Sequence, residues 1–329
     1  GVMRALSEEF ARILTDEEFD LSAIQGIPGF YHRLGYHYAI PLENHINVPF
    51  HLLPDEHADD GYTVRTAGMD DIPVLVGEDE RYRAAYGISV HRDEATWRYL
   101  LTDSRKTEYG STFWILENPE RGETFYARLP ETGFGAGLIV SEISETITSS
   151  ALMALLTFCR TQAAERIKPF IRLNVHPDSG PGRMAAAVGA EPGAPYAWQI
   201  KIPDRVRLLR KMTPILERRL GESPFRIFSG SVRLDFYTSK IDLAWSSGSL
   251  TDVGPGDETD CERTLCIADD LFAPLCLGHR TWRELQHNRP DIFPATQYIA
   301  PHASPASDIT AMMFDTLFPP VRSWIHEQY

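Results

Sequence analysis

The 329-residue sequence predicts a mixed α/β (α+β) fold built from three successive parts. Some segments alternate apolar and polar residues with the period of a strand, and others place apolar residues at helical spacing. The order helix, strand, glycine-containing turn, short helix, glycine, strand occurs twice along the chain. The last part places strands before helices, which favours a separate α+β unit.

Composition and charge limit the classes of partner. Acidic residues number 46 and basic residues 32, which gives a formal net charge of −14, and 43% of the residues are apolar. This balance is typical of a folded globular protein. No apolar run approaches the roughly 20 residues of a membrane span. Binding to a phosphate backbone needs clustered Lys and Arg, so we expect neither a nucleic-acid nor a membrane partner. An acidic surface favours a cationic one.

The cysteines and histidines do not predict a metal site. No Cys-x-x-Cys pair occurs, and five histidines between His32 and His57 lack regular ligand spacing. Scattered thiols are typical of a reducing compartment, so we expect a cytoplasmic protein. The cysteines are Cys159, Cys261, Cys266 and Cys276.

The first part covers residues 1–57. Apolar residues from Met3 to Leu14 follow helical spacing, a short strand is predicted over 19–23, and 26–29 form a turn. Phe30–Leu34 predict one or two helical turns that Gly35 ends, and Tyr36–Leu42 predict a strand. Because the chain opens with Gly1 inside a predicted helix, we expect the first domain to be truncated at its N-terminus. Residues 54–61 predict a linker.

The second part covers residues 58–205 and repeats this order. Strands are predicted over 62–65, 113–116, 124–129 and 137–143, with a helix over 95–101. A long helix capped by Ser149 or Ser150 follows, and then a strand over 171–175. Residues 180–182 predict a loop, 184–188 a short helix that Gly189 ends, and 196–202 a strand. Aligning Gly35 with Gly189 places Tyr31 over Ala185.

The third part covers residues 206–329. A helix is predicted over 206–220, and strands over 232–237, 241–245 and 264–267. Helices over 271–277, 281–288 and 309–317 follow, before a proline-interrupted tail that ends at Tyr329.

Two segments resemble known motifs of an enzyme superfamily. Gly29-Phe-Tyr-His-Arg-Leu-Gly-Tyr36 resembles the C-terminal signature of the GNAT acetyltransferases, in which a Phe-Tyr pair opens the last helix. Gly1-Val2-Met3-Arg4-Ala5-Leu6 resembles the end of that superfamily's pyrophosphate loop running into its helix. The degenerate second copy, the α+β third part and the aromatic last residue resemble the Eis-type (enhanced intracellular survival) acetyltransferases.

This resemblance implies a domain plan. Residues 1–57 would be the C-terminal half of a catalytic GNAT domain, and 58–205 a degenerate second GNAT-like domain. Residues 206–329 would form a domain of sterol-carrier-protein fold.

The resemblance also implies roles for individual residues. Acetyl-CoA would be the co-substrate, with its pyrophosphate on the backbone of Gly1, Val2 and Met3 at a helix N-terminus. Tyr31 would be the general acid, since a phenol with a pKa of about 10 can protonate a thiolate whose thiol pKa is about 8.5. The α-carboxylate of Tyr329 would be the general base.

The implied activity is N-acetylation of a primary amine, aminoglycoside-like or lysine-type, by direct transfer in a ternary complex. The family is compatible with homo-oligomers, and we expect the chain as given to be inactive by itself. One alternative is a non-catalytic module that binds a lipid or small ligand in an apolar tunnel lined from 225–317. A second is a pure interaction protein.

Overall fold

The computed structural model describes residues 2–42, 45–54, 61–133, 135–296 and 308–326. These residues form two compact units. Unit 1 comprises the described residues up to Ile40 together with Trp198–Val321. Unit 2 comprises Pro41–Ala197 together with the segment from Arg322 onward. These two units divide the chain differently from the three predicted domains, whose bounds stay a prediction.

The helices occur in every part of the described chain. In order they are α1 (Val2–Asp16), α2 (Ile72–Ala85), α3 (Glu94–Leu101), α4 (Ser149–Glu165), α5 (Gly180–Ala187), α6 (Arg205–Lys211), α7 (Thr213–Gly221), α8 (Phe272–Cys276), α9 (Trp282–Asn288) and α10 (Ile309–Leu317).

The strands are mostly short. In order they are β1 (Ser22–Ile24), β2 (His37–Leu42), β3 (Ile46–Pro49), β4 (Thr63–Thr66), β5 (Ser111–Asn118), β6 (Glu123–Pro130), β7 (Leu138–Val140), β8 (Glu142–Ile143), β9 (Phe170–Leu173), β10 (Glu191–Pro192), β11 (Tyr196–Lys201), β12 (Gly230–Asp235), β13 (Lys240–Ser246), β14 (Ser249–Pro255), β15 (Thr264–Ile267) and β16 (Ile292–Pro294). The mixed α/β (α+β) fold class is therefore confirmed.

Unit 1 contains a five-stranded sheet of order β14-β13-β12-β15-β16. Side chains from this sheet and from α6–α10 form one apolar core that includes Trp245, Trp282 and Phe314. The single helix predicted over 206–220 is wrong at one point, because the chain forms α6 and α7 with a break at Met212. Pro214 lies in the first turn of α7, where a missing N–H costs nothing.

Unit 2 contains two four-stranded sheets, of order β4-β5-β6-β8 and β10-β3-β9-β7. Helix α4 buries Leu152, Leu155 and Leu156 in the core that these strands share. The helix is capped by Thr148, one residue before the predicted cap at Ser149 or Ser150. The backbone of Thr148 is extended, and its hydroxyl accepts a hydrogen bond from the N–H of Ala151.

One more local prediction for unit 2 needs correction, and one helix of unit 2 was not predicted. Residues 180–182 are the first turn of α5 and no loop, because Ser179 caps the helix and Pro181 fits its first turn. Helix α2 was not predicted at all. Its apolar residues lack helical periodicity, and its five buried residues include the carboxylates Glu78 and Asp79.

The predicted internal repeat reappears as a reciprocal exchange of strands. Copy 1 consists of α1, β1, a 3₁₀ turn, β2 and β3, and copy 2 of α4, β9, α5, β10 and β11. The last strand of copy 2, β11, lies between β1 and β2. The last strand of copy 1, β3, lies between β9 and β10. Both short helices end at a glycine in the left-handed region, with φ of 83° at Gly35 and 96° at Gly189.

A buried cluster of charges lies in unit 2 around Glu142 on β8. Arg92 donates two hydrogen bonds of 2.8 Å to its carboxylate, and Arg128 donates one of 2.7 Å. The hydroxyl of Tyr126 donates another at 3.1 Å. Burial opposes ionisation of Glu142, but the charges of Arg92 and its other neighbours prevail and hold its pKa well below the usual range.

His326 is buried against this cluster. Its Nδ1 lies 3.8 Å from the Glu142 carboxylate, while Arg92 and Arg128 also face it. Burial lowers the pKa of His326 to about 3, with further lowering by the two arginines and an opposing contribution from Glu142. The imidazole is therefore neutral in the folded protein at neutral pH.

This burial predicts a pH dependence of stability. Below a pH of about 6.5 the unfolded chain protonates His326 while the folded chain does not, so the free energy of unfolding falls as the pH decreases toward about 3. Between pH 7 and 5 we expect His326→Gln to remove about 2 kcal/mol of the decrease that wild type shows. Urea unfolding at the two pH values measures the difference.

The matched variant is His91→Gln at an exposed position, which should show the wild-type pH dependence. Equal pH dependence in wild type and His326→Gln would contradict a buried neutral imidazole. Protonation of His176 and Glu142 acts in the same direction, so only the difference between wild type and variant reports on His326.

Candidate active site

Tyr31 lies where the sequence predicts it, at the start of a short helical turn in unit 1. The turn is a 3₁₀ helix over Tyr31–Leu34. The N–H of Gly35 donates to the carbonyl of His32 at 3.1 Å, and that of Tyr36 donates to the carbonyl of Tyr31 at 3.3 Å. The backbone of Gly35 adopts the left-handed conformation, and this ends the turn. Local sequence therefore fixes the backbone on which Tyr31 stands.

The Tyr31 ring lies against the backbone of Gly26. A Cβ at position 26 would lie 2.4 Å from Cδ2 of Tyr31 and 2.9 Å from Nε2 of Gln199, closer than such atoms approach. The same Gln199 amide donates to the Gly26 carbonyl at 3.0 Å. Only a glycine lets the ring and the amide both approach this turn.

Two neighbouring aromatic rings hold Tyr31 from the sides. The ring of Phe30 lies edge-on at 5.0 Å between centroids, and that of Tyr36 lies edge-on at 6.1 Å. Tyr36 is buried, and its hydroxyl shares a 2.8 Å hydrogen bond with the hydroxyl of Ser22. Such contacts restrict the ring of Tyr31, which itself stays partly exposed.

Strand β11 adds a cation beside these rings. The ammonium of Lys201 lies 5.8 Å from the centroid of Tyr36, and burial lowers the pKa of Lys201. Sequence reasoning missed both Gln199 and Lys201. The alternation over 196–202 predicts a strand, yet it carries no signal that this strand pairs with Ser22–Ile24.

The predicted cofactor residues lie at the beginning of α1, apart from Gly1, which is outside the described residues. Val2 and Met3 occupy the first turn and are 78% and 53% exposed. That turn contains no Asp or Glu, so its own side chains do not oppose an anion at the positive end of the helix. This chemistry fits a phosphate group of acetyl-CoA.

The corresponding loop of copy 2 does not fit the same group. Residues 144–148, which precede α4, contain no glycine and carry Glu145. A carboxylate at this position repels a phosphate. Ala185, aligned with Tyr31, is fully buried in α5 and has no group that could donate a proton. Copy 2 therefore lacks both the anion-compatible loop and the phenol.

Tyr329, the predicted general base, lies outside the described residues. The last described residues, Arg322–His326, belong to unit 2.

Among residues that the structure describes, no group of three or more His, Cys, Asp or Glu side chains could hold a metal ion. No helix within those ranges combines the length and apolarity needed to cross a membrane.

By sequence, the chain matches no protein-family model and no curated protein at a significant level. By structure it is similar to solved proteins. A conserved protein from Enterococcus faecalis, described as a probable N-acyltransferase, superposes with a TM-score of 0.64 at 16% identity. The match covers 99% of this chain and 76% of that one.

Two further solved structures are similar over nearly the whole chain. A GCN5-related N-acetyltransferase from Anabaena variabilis gives a TM-score of 0.61 at 14% identity, covering 99% of this chain and 77% of that one. Eis1 from Mycobacterium abscessus gives 0.55 at 12% identity, covering 100% and 78%. The chain therefore has a GNAT-like fold, and at these identities the likeness concerns the fold alone.

Gly26→Ala tests the packing of Tyr31. The added methyl group displaces the ring or strains the turn, and we expect a loss of about 1–3 kcal/mol in the free energy of unfolding, as for overpacking elsewhere. Denaturant unfolding measures it. Gly221→Ala is the matched control, since nothing lies within 4 Å of a Cβ there. A Gly26→Ala protein as stable as this control would contradict the observed approach.

Proposed function

We propose that the chain is part of an acetyl-CoA-dependent N-acetyltransferase and that Tyr31 is its general acid. The observation that carries the proposal is the placement of Tyr31, whose partly exposed ring is fixed by Gly26, Phe30 and Tyr36 at the start of a helical turn. The GNAT-like fold over nearly the whole chain supports it. Copy 2, with Ala185 at the aligned position, has no such group.

Acetyl-CoA supplies the acetyl group as a thioester and leaves as a thiol. The amine nitrogen forms the new bond to the acetyl carbon as the carbon–sulfur bond breaks. In this proposal the Oη of Tyr31 donates its proton to the departing sulfur, which avoids release of a free thiolate. The backbone N–H groups of Gly1, Val2 and Met3 bind the pyrophosphate, and the α-carboxylate of Tyr329 accepts the amine proton, through water or directly.

A cationic amine is the acceptor that the composition favours. The chain carries a formal net charge of −14, and an acidic surface raises the local concentration of cations. Aminoglycoside-like and lysine-type amines both meet this description, and both must lose a proton before they attack. The proposal includes direct transfer from acetyl-CoA to the amine in a ternary complex, without an acylated side chain.

The alternative of a lipid-binding module finds little support in the interior of unit 1. Within the described part of 225–317, apolar side chains of the five-stranded sheet and of α8–α10 are buried in one core, and Trp282 and Phe314 are completely buried. A packed core of this kind differs from the apolar tunnel that the alternative requires.

Tyr31→Phe tests the acid. Removal of one hydroxyl from a partly exposed ring leaves the packing intact, so we expect a fall in kcat of about 10²–10⁴-fold with little change in the KM for acetyl-CoA. Steady-state kinetics on the natively expressed protein measure both constants. Tyr38→Phe, on an exposed tyrosine of the same unit, is the control. Equal turnover in Tyr31→Phe and wild type would refute the role.

Deletion of Tyr329 tests the base separately. The new terminal carboxylate, on Gln328, lies one residue short of the position that the proposal requires. We expect lower kcat, with partial recovery at higher pH as more of the amine loses its proton without help. A pH–rate profile that matches wild type after the deletion would remove Tyr329 from the mechanism.

The expectations of an N-terminally truncated first domain and of an inactive isolated chain stay predictions. The intact mass of the natively expressed protein and an acetylation assay on the printed chain test the two separately.

A further inference from the structure

Helix α2 buries two adjacent carboxylates that take no part in the proposed mechanism. Glu78 is 2% exposed and Asp79 is 3% exposed. Glu78 forms an ion pair with Arg81, whereas Asp79 forms none among the described residues. The N–H of Arg92 donates a hydrogen bond to the Asp79 carboxylate. An Asp without a counter-charge is seldom fully buried, because the ion loses its hydration there. The burial of Asp79 therefore needs a separate explanation.

Asp79 lies in the wall of a cavity of about 670 Å³. The wall consists of residues from 69–83, which include most of α2, and of residues from 91–98, which include the beginning of α3. All of them belong to unit 2. Small-molecule sites in proteins usually have volumes of roughly 300–1,000 Å³. This cavity is therefore large enough for a small organic ligand.

Four apolar residues in and just before the first turns of α2 contribute to the wall, namely Met69, Ile72, Pro73 and Val76. Ile72 is 4% exposed and belongs to the apolar core that also includes Trp97, and Val76 packs against the same core. Because the core holds these side chains in place, an apolar part of a ligand can be buried against them without reorganisation of α2.

The charged residues of the wall favour a cation. The cavity is bordered by three guanidinium groups, and two of them already have carboxylate partners. Arg92 donates to Glu142, and Arg98 donates to Glu94 at 3.1 Å. The third, Arg83, is exposed. An anionic ligand would also meet five carboxylates of the wall, those of Asp70, Asp79, Glu80, Asp93 and Glu94.

The environment of Asp79 opposes its charged form. Burial raises the pKa of Asp79. The charge of Arg92, the hydrogen bond from its N–H and the charge of Arg83 lower the pKa in part, and the charge of Glu142 raises it further. A cation inside the cavity would favour the ionised carboxylate and offset the cost of its burial. Such a ligand supplies the counter-charge that Asp79 lacks among the described residues.

We propose that this cavity of unit 2 is a binding site for a small organic cation, an ammonium group with an apolar body, and that Asp79 is its anchor. The ammonium group binds the Asp79 carboxylate, and the apolar body contacts Ile72 and Val76. The site does not depend on the acetyltransferase function, because it includes neither Tyr31 nor the beginning of α1.

Calorimetric titration of the purified wild-type protein with 1-naphthylmethylamine at neutral pH tests the site. The matched probes are 1-naphthalenemethanol, which is neutral, and 1-naphthylacetate, which is an anion. We expect the amine to bind at one site with a Kd of about 1 mM or lower, and each of the other two probes to bind about tenfold more weakly or worse. Equal affinities for the amine and the alcohol, or no binding of the amine, would overturn the proposal.

Asp79→Asn separates this site from any other that takes an amine. The substitution removes the charge but retains the size of the side chain and an oxygen that can accept from the Arg92 N–H. We expect the affinity for the amine to fall about tenfold or more. Asp178→Asn is the matched control, since its carboxylate in unit 2 is 80% exposed, and this variant should bind as wild type does. An amine affinity that Asp79→Asn leaves unchanged would place the ligand elsewhere, for example at the acceptor site of the proposed function, and would overturn the cavity as its site.

Hydrogen exchange on the wild-type protein locates the ligand without a substitution. At an amine concentration of ten times the Kd, we expect amide exchange in α2 and α3 to slow by about tenfold. Helix α7 of unit 1 is the internal reference and should exchange at the same rate with and without the amine. Protection by the amine that appears only outside α2 and α3 would contradict the assignment to this cavity.

Discussion

The reciprocal exchange of two strands is the constraint on which both units depend. Buried backbone N–H and C=O groups must find partners, and neither β1 with β2 nor β9 with β10 provides them. β11 joins the first pair and β3 joins the second. The turn that carries Tyr31 therefore stands between strands that a distant part of the chain holds together. The contacts of Gln199 and Lys201 follow from this exchange.

Local signals in the sequence were sufficient for most elements but not for their pairing. The 3₁₀ turn at Tyr31–Leu34, its glycine stop and the helix over 149–165 depend on spacing and caps within a few residues. Helix α2 was missed because it buries carboxylates where a periodic pattern needs apolar side chains. The exchange could not be predicted, because the alternation of apolar and polar residues in a strand indicates which side chains face inward but not which strand lies beside it.

In the candidate site, too, the local elements could be predicted and the contacts between distant residues could not. Tyr31 could be found from the sequence because its turn is local, whereas its contact with Gly26 depends on a ring orientation that no spacing rule gives. Copy 2 repeats the order of elements of copy 1 and changes its chemistry. A methyl group replaces the phenol at Ala185, and Glu145 precedes the long helix. The same order of elements thus carries a candidate reaction centre in copy 1 and lacks its phenol in copy 2.

The position of β11 along the chain also has a consequence for synthesis on the ribosome. β1 and β2 leave the ribosome before the strand that joins them, which ends at Lys201. At about 5–20 residues per second, translation from the end of β2 to the end of β11 takes about 8–30 seconds, during which the edges of β1 and β2 that pair with β11 have no partner. In this interval, before residue 201 emerges, the two edges are exposed to chaperones that bind unpaired strands.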